Sequence, residues 1–178
     1  MLRVNNKLWL ISDTHFGHKN IIKFQQRPET HEEIMLSEWV WRVREGDQIL
    51  HLGDVFMGKQ GNPKRWAAIL SRMPGEKYLI KGNHDKATDA LYELAGFTII
   101  DPFVHFPLLF SHKPATVNSV FNSWMWETNI HGHIHGNVLG QNPADPEDDC
   151  IIPGKNYLNV SVEVTDFKPI ALGNVYPV

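Results

Sequence analysis

The chain has a single cysteine, Cys150, among its 178 residues. This excludes an intramolecular disulfide and any zinc site built from several thiolates. No apolar run approaches the roughly 20 residues that a membrane-spanning helix needs, so no membrane partner is expected. The segment from Met1 to Lys7 lacks the apolar core of a secretory leader, and the compartment expected is the cytoplasm. Positive charge is not in excess: 17 Lys and Arg stand against 20 Asp and Glu, a formal net charge of -3. Strong binding of duplex nucleic acid over the whole surface is therefore not expected. Internal repeats and low-complexity linkers are also missing. At 42% hydrophobic and 21% charged residues, the composition is that of one globular domain, 1–178, long enough to bury a sizeable core. Nothing in the pattern specifies an oligomeric state.

What the sequence does have is histidine, ten in all, the commonest metal ligand and the side chain that titrates near neutrality. Around these residues, strand-like and helix-like pieces alternate, which predicts a layered α/β fold. Leu8 to Ser12, Gln48 to Leu52 and Lys77 to Ile80 read as buried strands. His31 to Arg44 reads as a helix with Ile34, Leu36, Trp39, Val40 and Val43 apolar. A capping box of Thr30 and Glu33 would start it. Pro63 opens a second helix, with Trp66, Ile69, Leu70 and Met73 on one face, ended by Pro74-Gly75. Asp89 to Ala95 reads as a third, stopped at Gly96. Short strands are expected at 97–100, 107–111, 128–131 and 157–164. Gly136 to Asn156, rich in Gly, Pro, Asn and Asp, reads as a long loop of the kind that is often functional. Its acidic run, Asp145 to Asp149, would repel a long polyanion.

Five segments follow predicted strands and end in metal-binding residue types: Asp13-Thr14-His15, Gly53-Asp54, Gly82-Asn83-His84-Asp85, Ser111-His112 and Gly132-His133-Ile134-His135. In open sheets, the loops at strand C-termini converge to form sites. In Asp13-x-His15 and His133-x-His135, a spacing of two on an extended segment would send both side chains to one side. Asp54 has two oxygens and can bridge two ions. Asn83 offers a neutral amide oxygen. Carboxylate, amide and imidazole together suit Mn, Fe, Zn or Ni better than calcium. Each motif alone has a plainer reading. An Asp after a strand is usually a cap or turn residue, and an isolated His-x-His pair is a weak metal signal. Five such motifs in one short chain, each at a strand end, make the plain reading of all of them untenable.

The ordered set Asp-x-His, Gly-Asp, Gly-Asn-His-Asp, His and Gly-His-x-His, running from Asp13 to His135, resembles the calcineurin-like metallophosphoesterase superfamily. The stretch from Asp13 to Ile22 is most similar to small phosphoesterases of bacteria and phages, and Leu158 to Val162 resembles the last core strands of the superfamily. The resemblance implies a four-layer α/β/β/α sandwich with a dinuclear site at one edge. It implies that Asp13, His15 and His135 hold one divalent transition-metal ion and that Asn83, His112 and His133 hold another. Asp54 would bridge the two. Manganese is the metal expected first, with Fe, Ni or Zn also fitting. His84 would face the substrate and assist the leaving group, oriented by Asp85. The implied reaction is in-line attack by hydroxide on a phosphate ester.

The substrate expected is a phosphodiester, a small nucleotide or a nucleic-acid end. The same site could serve a phosphomonoesterase, and a protein-interaction scaffold that binds metal without catalysis is the rival from another class. Gly53 to Gly58 lacks the Asp-Arg pair of the serine/threonine phosphatase branch, which argues against phosphoprotein substrates. Other residues have two readings. His18 could contact substrate or cap the following helix. His131 could support the ligands from behind or be an ordinary strand histidine. His31, His51 and His105 are expected to be structural or on the surface. Lys81 and Lys113 flank predicted ligands and could meet phosphate. Trp39 and Trp66 are expected in the core. Trp124, Trp126 and Phe121 are candidates for stacking on a nucleobase, with packing the simpler role.

Overall fold

Side chains along the first strands alternate between two cores, as a strand with both faces covered must. Ile11, Ile49 and Leu79 enter one core, with Met35, Trp39, Trp66 and Leu70. Leu10, Leu50, Leu52, Tyr78 and Ile80 enter another, with Leu108, Phe110 and Ile130. The computed structural model describes residues 1–57, 61–139 and 151–176. In chain order its elements are β1 (Trp9–Ile11), α1 (Ile21–Phe24), α2 (His31–Arg42), β2 (Gln48–His51), α3 (Pro63–Leu70), β3 (Glu76–Leu79), α4 (Asp89–Leu94), β4 (Phe97–Ile99), β5 (Phe103–His105) and β6 (Leu108–Phe110). A 3-10 turn (Ser123–Met125), β7 (Thr128–His131), β8 (Asn156–Asn159), β9 (Ile170–Ala171) and α5 (Leu172–Val175) follow. Gly58, Cys150 and Asp145 to Asp149 lie outside the described residues, as does most of the predicted loop at 136–156.

Two sheets result, in the order β4-β3-β2-β1-β9 and β5-β6-β7-β8. Strands β1 to β4 are parallel, as are β6 to β8. The sheets stack on the second core, and helices α2, α3 and α4 cover the outer face of the first sheet through the first core. Two stacked sheets with helices outside agree with the α/β/β/α sandwich that the resemblance implies. Among the described residues, the chain around the 3-10 turn and Ile152 supplies Ala115, Trp126 and Phe121 to pack on Leu109. A parallel bridge between Ser12 and Ser161 joins the β1 end of one sheet to the β8 end of the other.

Several local expectations change. Thr30 precedes α2 but makes no side-chain cap bond. Its backbone (φ -90°, ψ 11°) is not extended as a capping residue's is. Glu32 instead accepts a hydrogen bond from the Gly17 N–H at 2.6 Å. The buried residues of α2 are His31, Met35 and Trp39, continued by Val43 just beyond its end, whereas Val40 is exposed. The predicted strand at 157–164 stops at Asn159, because the chain turns at Ser161 to reach the site. The sequence pattern missed β5 and β9. They are three and two residues long. The structure places Trp39 and Trp66 in the core.

Candidate metal centre

The parallel runs aim the C-terminal ends of β1, β2, β3, β6 and β7 in common directions, and all five motif segments leave from those ends. The backbone at the ligands is not extended. Asp13, His15, Asp54, His133 and His135 all have positive φ, between 48° and 72°. Side chains other than glycine enter this left-handed region at a cost of roughly 1–2 kcal/mol each. Main-chain hydrogen bonds hold them there: Asp13 N to Gly53 O at 3.0 Å, His15 N to Asp54 O at 2.9 Å, and Gly132 N to His112 O at 2.9 Å. The backbone at Asp-x-His and His-x-His is thus not the extended one expected, although Asp13 and His15 do come to one group. His133 and His135 go to different groups.

One group comprises Asp13, His15 and His135; the other comprises Asp54, His112 and His133. Within each, one donor atom per residue lies within 4.8 Å of the others. Asp54 links them: its Oδ2 is 3.5 Å from His15 Nε2 and 3.5 Å from His112 Nε2. Asn83 Oδ1 lies 2.9 Å from His112 Nε2, beside the second group. Ring orientation is set from behind. His112 Nδ1 is 2.6 Å from the Leu52 carbonyl, so it must carry the proton, and its Nε2 lone pair faces the site. His135 Nδ1 likewise meets Glu163 Oε1 at 2.9 Å.

These donors fit a cation. Asp13 Oδ1 and His15 Nε2 are buried and have no hydrogen-bond partner, an arrangement that is costly unless something positive meets them. Burial would raise the Asp13 carboxyl, but His112, His135, His15 and the Ser12 hydroxyl outweigh it and hold the group down at about 2. Burial pushes His15 down to about 2 against the pull of Asp13, which leaves it as the neutral imidazole that metals bind. Asp54 is pushed upward by burial, with Asp13 and Asp85 adding to the effect and His112 opposing it. A divalent ion would reverse that last shift.

Glycine is required beside the ligands. A Cβ on Gly132 would sit 1.9 Å from Ser12 Oγ and 2.3 Å from Asp13 Oδ2. One on Gly82 would sit 2.2 Å from Asp54 Oδ1. Next to Gly82, His84 is exposed, with its ring 5.5 Å from that of His15 and its N–H donating to Asp54 Oδ1 at 2.8 Å. Asp85 does not do what the resemblance implied. Its carboxylate accepts from Asp54 N, Val55 N, Gly82 N and Tyr92 Oη, at 2.7, 3.0, 2.8 and 3.0 Å. These bonds clamp the loop that carries Asp54 to the loop that carries Asn83, and no hydrogen bond runs from Asp85 to the His84 ring.

His18 packs its ring 5.7 Å from that of His15 and lies at the edge of the site. His131 is fully buried and points away from both groups, with its ring 6.0 Å from Tyr157 and its Nδ1 on the Gly132 carbonyl. His51 and His31 are buried structural residues, and His105 is exposed.

A cleft of about 700 Å³ opens beside Asn83 and His112, lined by Lys81, Lys113, Pro114, Asn118, Val120 and Phe121 among others. A recess of about 330 Å³ lies on the other side, at Gly17, His18, Glu32, Arg65 and Trp66. Lys81 is paired with Asp89 at 2.8 Å. Trp126 is buried in the packing on the second sheet, which removes it as a stacking group, while Trp124 is 77% exposed. Two charged residues of the site, Arg27 and Glu163, escaped the sequence reading. Arg27 sits in a loop between helices and Glu163 in a turn, and no motif marks either one.

The model of the calcineurin-like phosphoesterase family matches residues 7–160. An uncharacterized protein of Methanocaldococcus jannaschii is 35% identical over 171 residues, covering 93% of this chain and 87% of that one. The gene 66 protein of Mycobacterium phage L5 is 32% identical over 80 residues, 43% of this chain and 39% of its own length. Among solved structures, a protein of unknown function from Aquifex aeolicus superposes with a TM-score of 0.70 at 26% identity, covering 96% of this chain and 98% of that one.

Proposed function

The chain belongs to the calcineurin-like phosphoesterase family, and from that premise we propose that it hydrolyses phosphodiesters, small nucleotides or nucleic-acid ends, at a dinuclear centre. The observation that carries this reading is Asp54 Oδ2, set 3.5 Å from a donor nitrogen of each ligand group. Asp13, His15 and His135 would hold one ion, Asn83, His112 and His133 the other, and Asp54 would serve both. Oxygen and imidazole donors in this ratio suit manganese first, with Fe, Ni or Zn as alternatives. Preference for a diester is supported by the two recesses that flank the centre, one at Asn83 and one at His18. A diester has two substituents to place; a monoester has one. A cytoplasmic site of action accords with a chain that has one cysteine. No helix among the described residues is long and apolar enough to cross a membrane.

Two bound divalent ions would supply charge neutralisation on the phosphoryl group and a hydroxide near neutral pH. The residues supply the rest. His84, exposed at the mouth, delivers a proton to the leaving oxygen, a contribution of about 10²–10⁴-fold in rate. Asp85 holds the Asp54 and Gly82 loops in register. His18 borders the recess that receives the substituent on its side. The test is elemental analysis of manganese-loaded protein. Two ions per chain are expected, with both weakened in Asp54→Asn; two ions retained in that variant would contradict the bridging role.

A further inference from the structure

Two consecutive residues, Asn83 and His84, send their side chains to different ligand groups, and a different cavity lies beside each. Asn83 Oδ1 meets His112 Nε2 at 2.9 Å, and both residues line the cleft of about 700 Å³. The His84 ring lies 5.5 Å from that of His15, which lies 5.7 Å from that of His18, and His18 lines the recess of about 330 Å³. The cavities differ in chemistry as well as size. The cleft has an apolar wall of Pro102, Pro114, Val120 and Phe121 and a volume in the range that holds a nucleoside-sized ligand. The recess is lined by Lys19, Glu29, Glu32 and Arg65. Its one indole, Trp66, is buried, stacked on Phe16 at 4.7 Å, with the Arg65 guanidinium 5.6 Å from the ring, so it offers no open face to a base. His31, in the wall of the recess, is 2% exposed. Burial lowers its pKa and keeps the ring neutral. Its Nδ1 lies 3.0 Å from the Pro28 carbonyl and so carries the proton, which leaves Nε2 a buried acceptor without a partner. His18 Nδ1 is also buried and unpartnered. A hydroxyl, which both donates and accepts, suits either nitrogen.

We propose that the protein cleaves an unsymmetrical diester in one direction: a nucleoside lies in the cleft and keeps the phosphate, while a hydroxyl-bearing alcohol lies in the recess and leaves. The proposal rests on the phosphodiesterase reading above. In an in-line displacement, hydroxide forms the new bond to phosphorus on the side away from the leaving oxygen. The bond from phosphorus to that oxygen breaks with its electron pair, and the His84 proton turns the oxygen into an alcohol. A proton donor must stand within hydrogen-bond reach of the oxygen that it serves. The leaving oxygen is therefore the one on the flank of His15 and His18. Phosphorus stays with the substituent beside Asn83 and His112, whose base rests against Phe121.

The test has a cleavage arm and a binding arm. In the first, manganese-loaded protein is given the glyceryl ester of thymidylate. Both ester oxygens are primary alkoxides, so their basicity does not choose between them. Thymidylate and glycerol are the expected products; thymidine and glycerol phosphate, or both pairs in comparable amounts, would overturn the direction. His31→Asn keeps a donor near the Pro28 carbonyl and removes Nε2. It should raise KM for the glyceryl ester about 2–10-fold relative to the methyl ester of thymidylate, with recovery in His31→Gln. An unchanged ratio of the two KM values would overturn the role given to the recess. In the second arm, thymidylate is titrated calorimetrically into the metal-stripped protein. Phe121→Ala should weaken binding about 5–100-fold, as loss of base–aromatic stacking does, and His31→Asn should not. Binding that is weakened by His31→Asn but not by Phe121→Ala, or no binding at all, would overturn the placement of the nucleoside. Failure of protein that carries two ions to cleave either ester would instead strike the phosphodiesterase reading, with the occupant of the cleft still decided by the binding arm.

Discussion

The two sheets meet at one metal centre but are covered in different ways. The first carries helices α2, α3 and α4 on its outer face, packed through Met35, Trp39, Trp66 and Leu70. The outer face of the second carries buried polar side chains, Asn129 and His131, under irregular chain and a 3-10 turn. Asn129 is fully engaged: Ala115 N donates to its Oδ1 at 2.7 Å, and its Nδ2 donates to Ser111 Oγ at 2.9 Å and to the Leu109 carbonyl at 3.2 Å. An apolar layer of helices covers the first sheet, whose strand ends carry Asp13, Asp54 and Asn83. Among the described residues, the layer on the second sheet is irregular chain that packs Trp126, Ala115 and Phe121 on Leu109, with the cleft beside His112 next to it. The difference teaches that both sheets contribute to the two ligand groups, Asp13, His15 and Asp54 from the first and His112, His133 and His135 from the second, while the open cleft lies on the side of the second.

The largest expected effect is at the centre itself. His84→Ala should retain its metal content and lose about 10²–10⁴-fold in turnover. Unchanged turnover would mean that the first sheet supplies ligands but no proton donor. Next comes the scaffold. Trp39 is fully buried and its indole N–H donates to the Pro74 carbonyl at 3.0 Å. Trp39→Ala should cost about 3–5 kcal/mol in denaturant unfolding while the folded fraction still binds both ions. A loss below about 1 kcal/mol would show that the helical layer is not what stabilises the first sheet.

Titration sharpens the comparison within β2. His51 Nδ1 accepts from Gly53 N at 3.2 Å, so its other nitrogen, Nε2, carries the proton and donates to Thr14 Oγ1 at 3.0 Å; that hydroxyl donates on to the Val55 carbonyl at 2.7 Å. The neutral ring is thus fully satisfied. Burial is the main reason that its pKa falls to about 4. A histidine whose pKa is depressed by folding binds fewer protons folded than unfolded in that interval. Its stability contribution is therefore intact above about pH 6.5 and is lost as pH falls toward 4, by about 3 kcal/mol in all. Unfolding free energies at pH 7 and pH 5 should show the decline. His51→Gln should flatten part of it, the remainder belonging to His131, also depressed to about 4, chiefly by burial. A slope unchanged by His51→Gln would contradict the assignment.

The smallest effect is expected on the side of the second sheet. Phe121 is half-buried and lines the cleft. Phe121→Ala should cost about 1 kcal/mol or less in stability and raise KM for diesters with large substituents more than for small ones. A stability loss equal to that of Trp39→Ala would make the two layers alike.

Much of this was legible in the residues. The order of motifs from Asp13 to His135 reads as a site because each motif follows a strand, and the structure does bring those strand ends together. Which donors share a group was not derivable from spacing. His133 and His135 part company while Asp13 and His15, with the same spacing and equally left-handed backbone, share a group, so a period of two does not decide it. The role of Asp85 was misread because its carboxylate is taken up by main-chain donors from another loop, a contact that exists only after folding. Arg27 and Glu163 are 136 residues apart and belong to no local pattern.

The most direct test is an assay of the metal-stripped protein on bis-p-nitrophenyl phosphate and on p-nitrophenyl phosphate, with manganese added back and His84→Ala in parallel. Manganese-dependent cleavage that favours the diester and collapses in the variant is the predicted result. Preference for the monoester, or no cleavage of either ester by protein that carries two ions, would contradict the account.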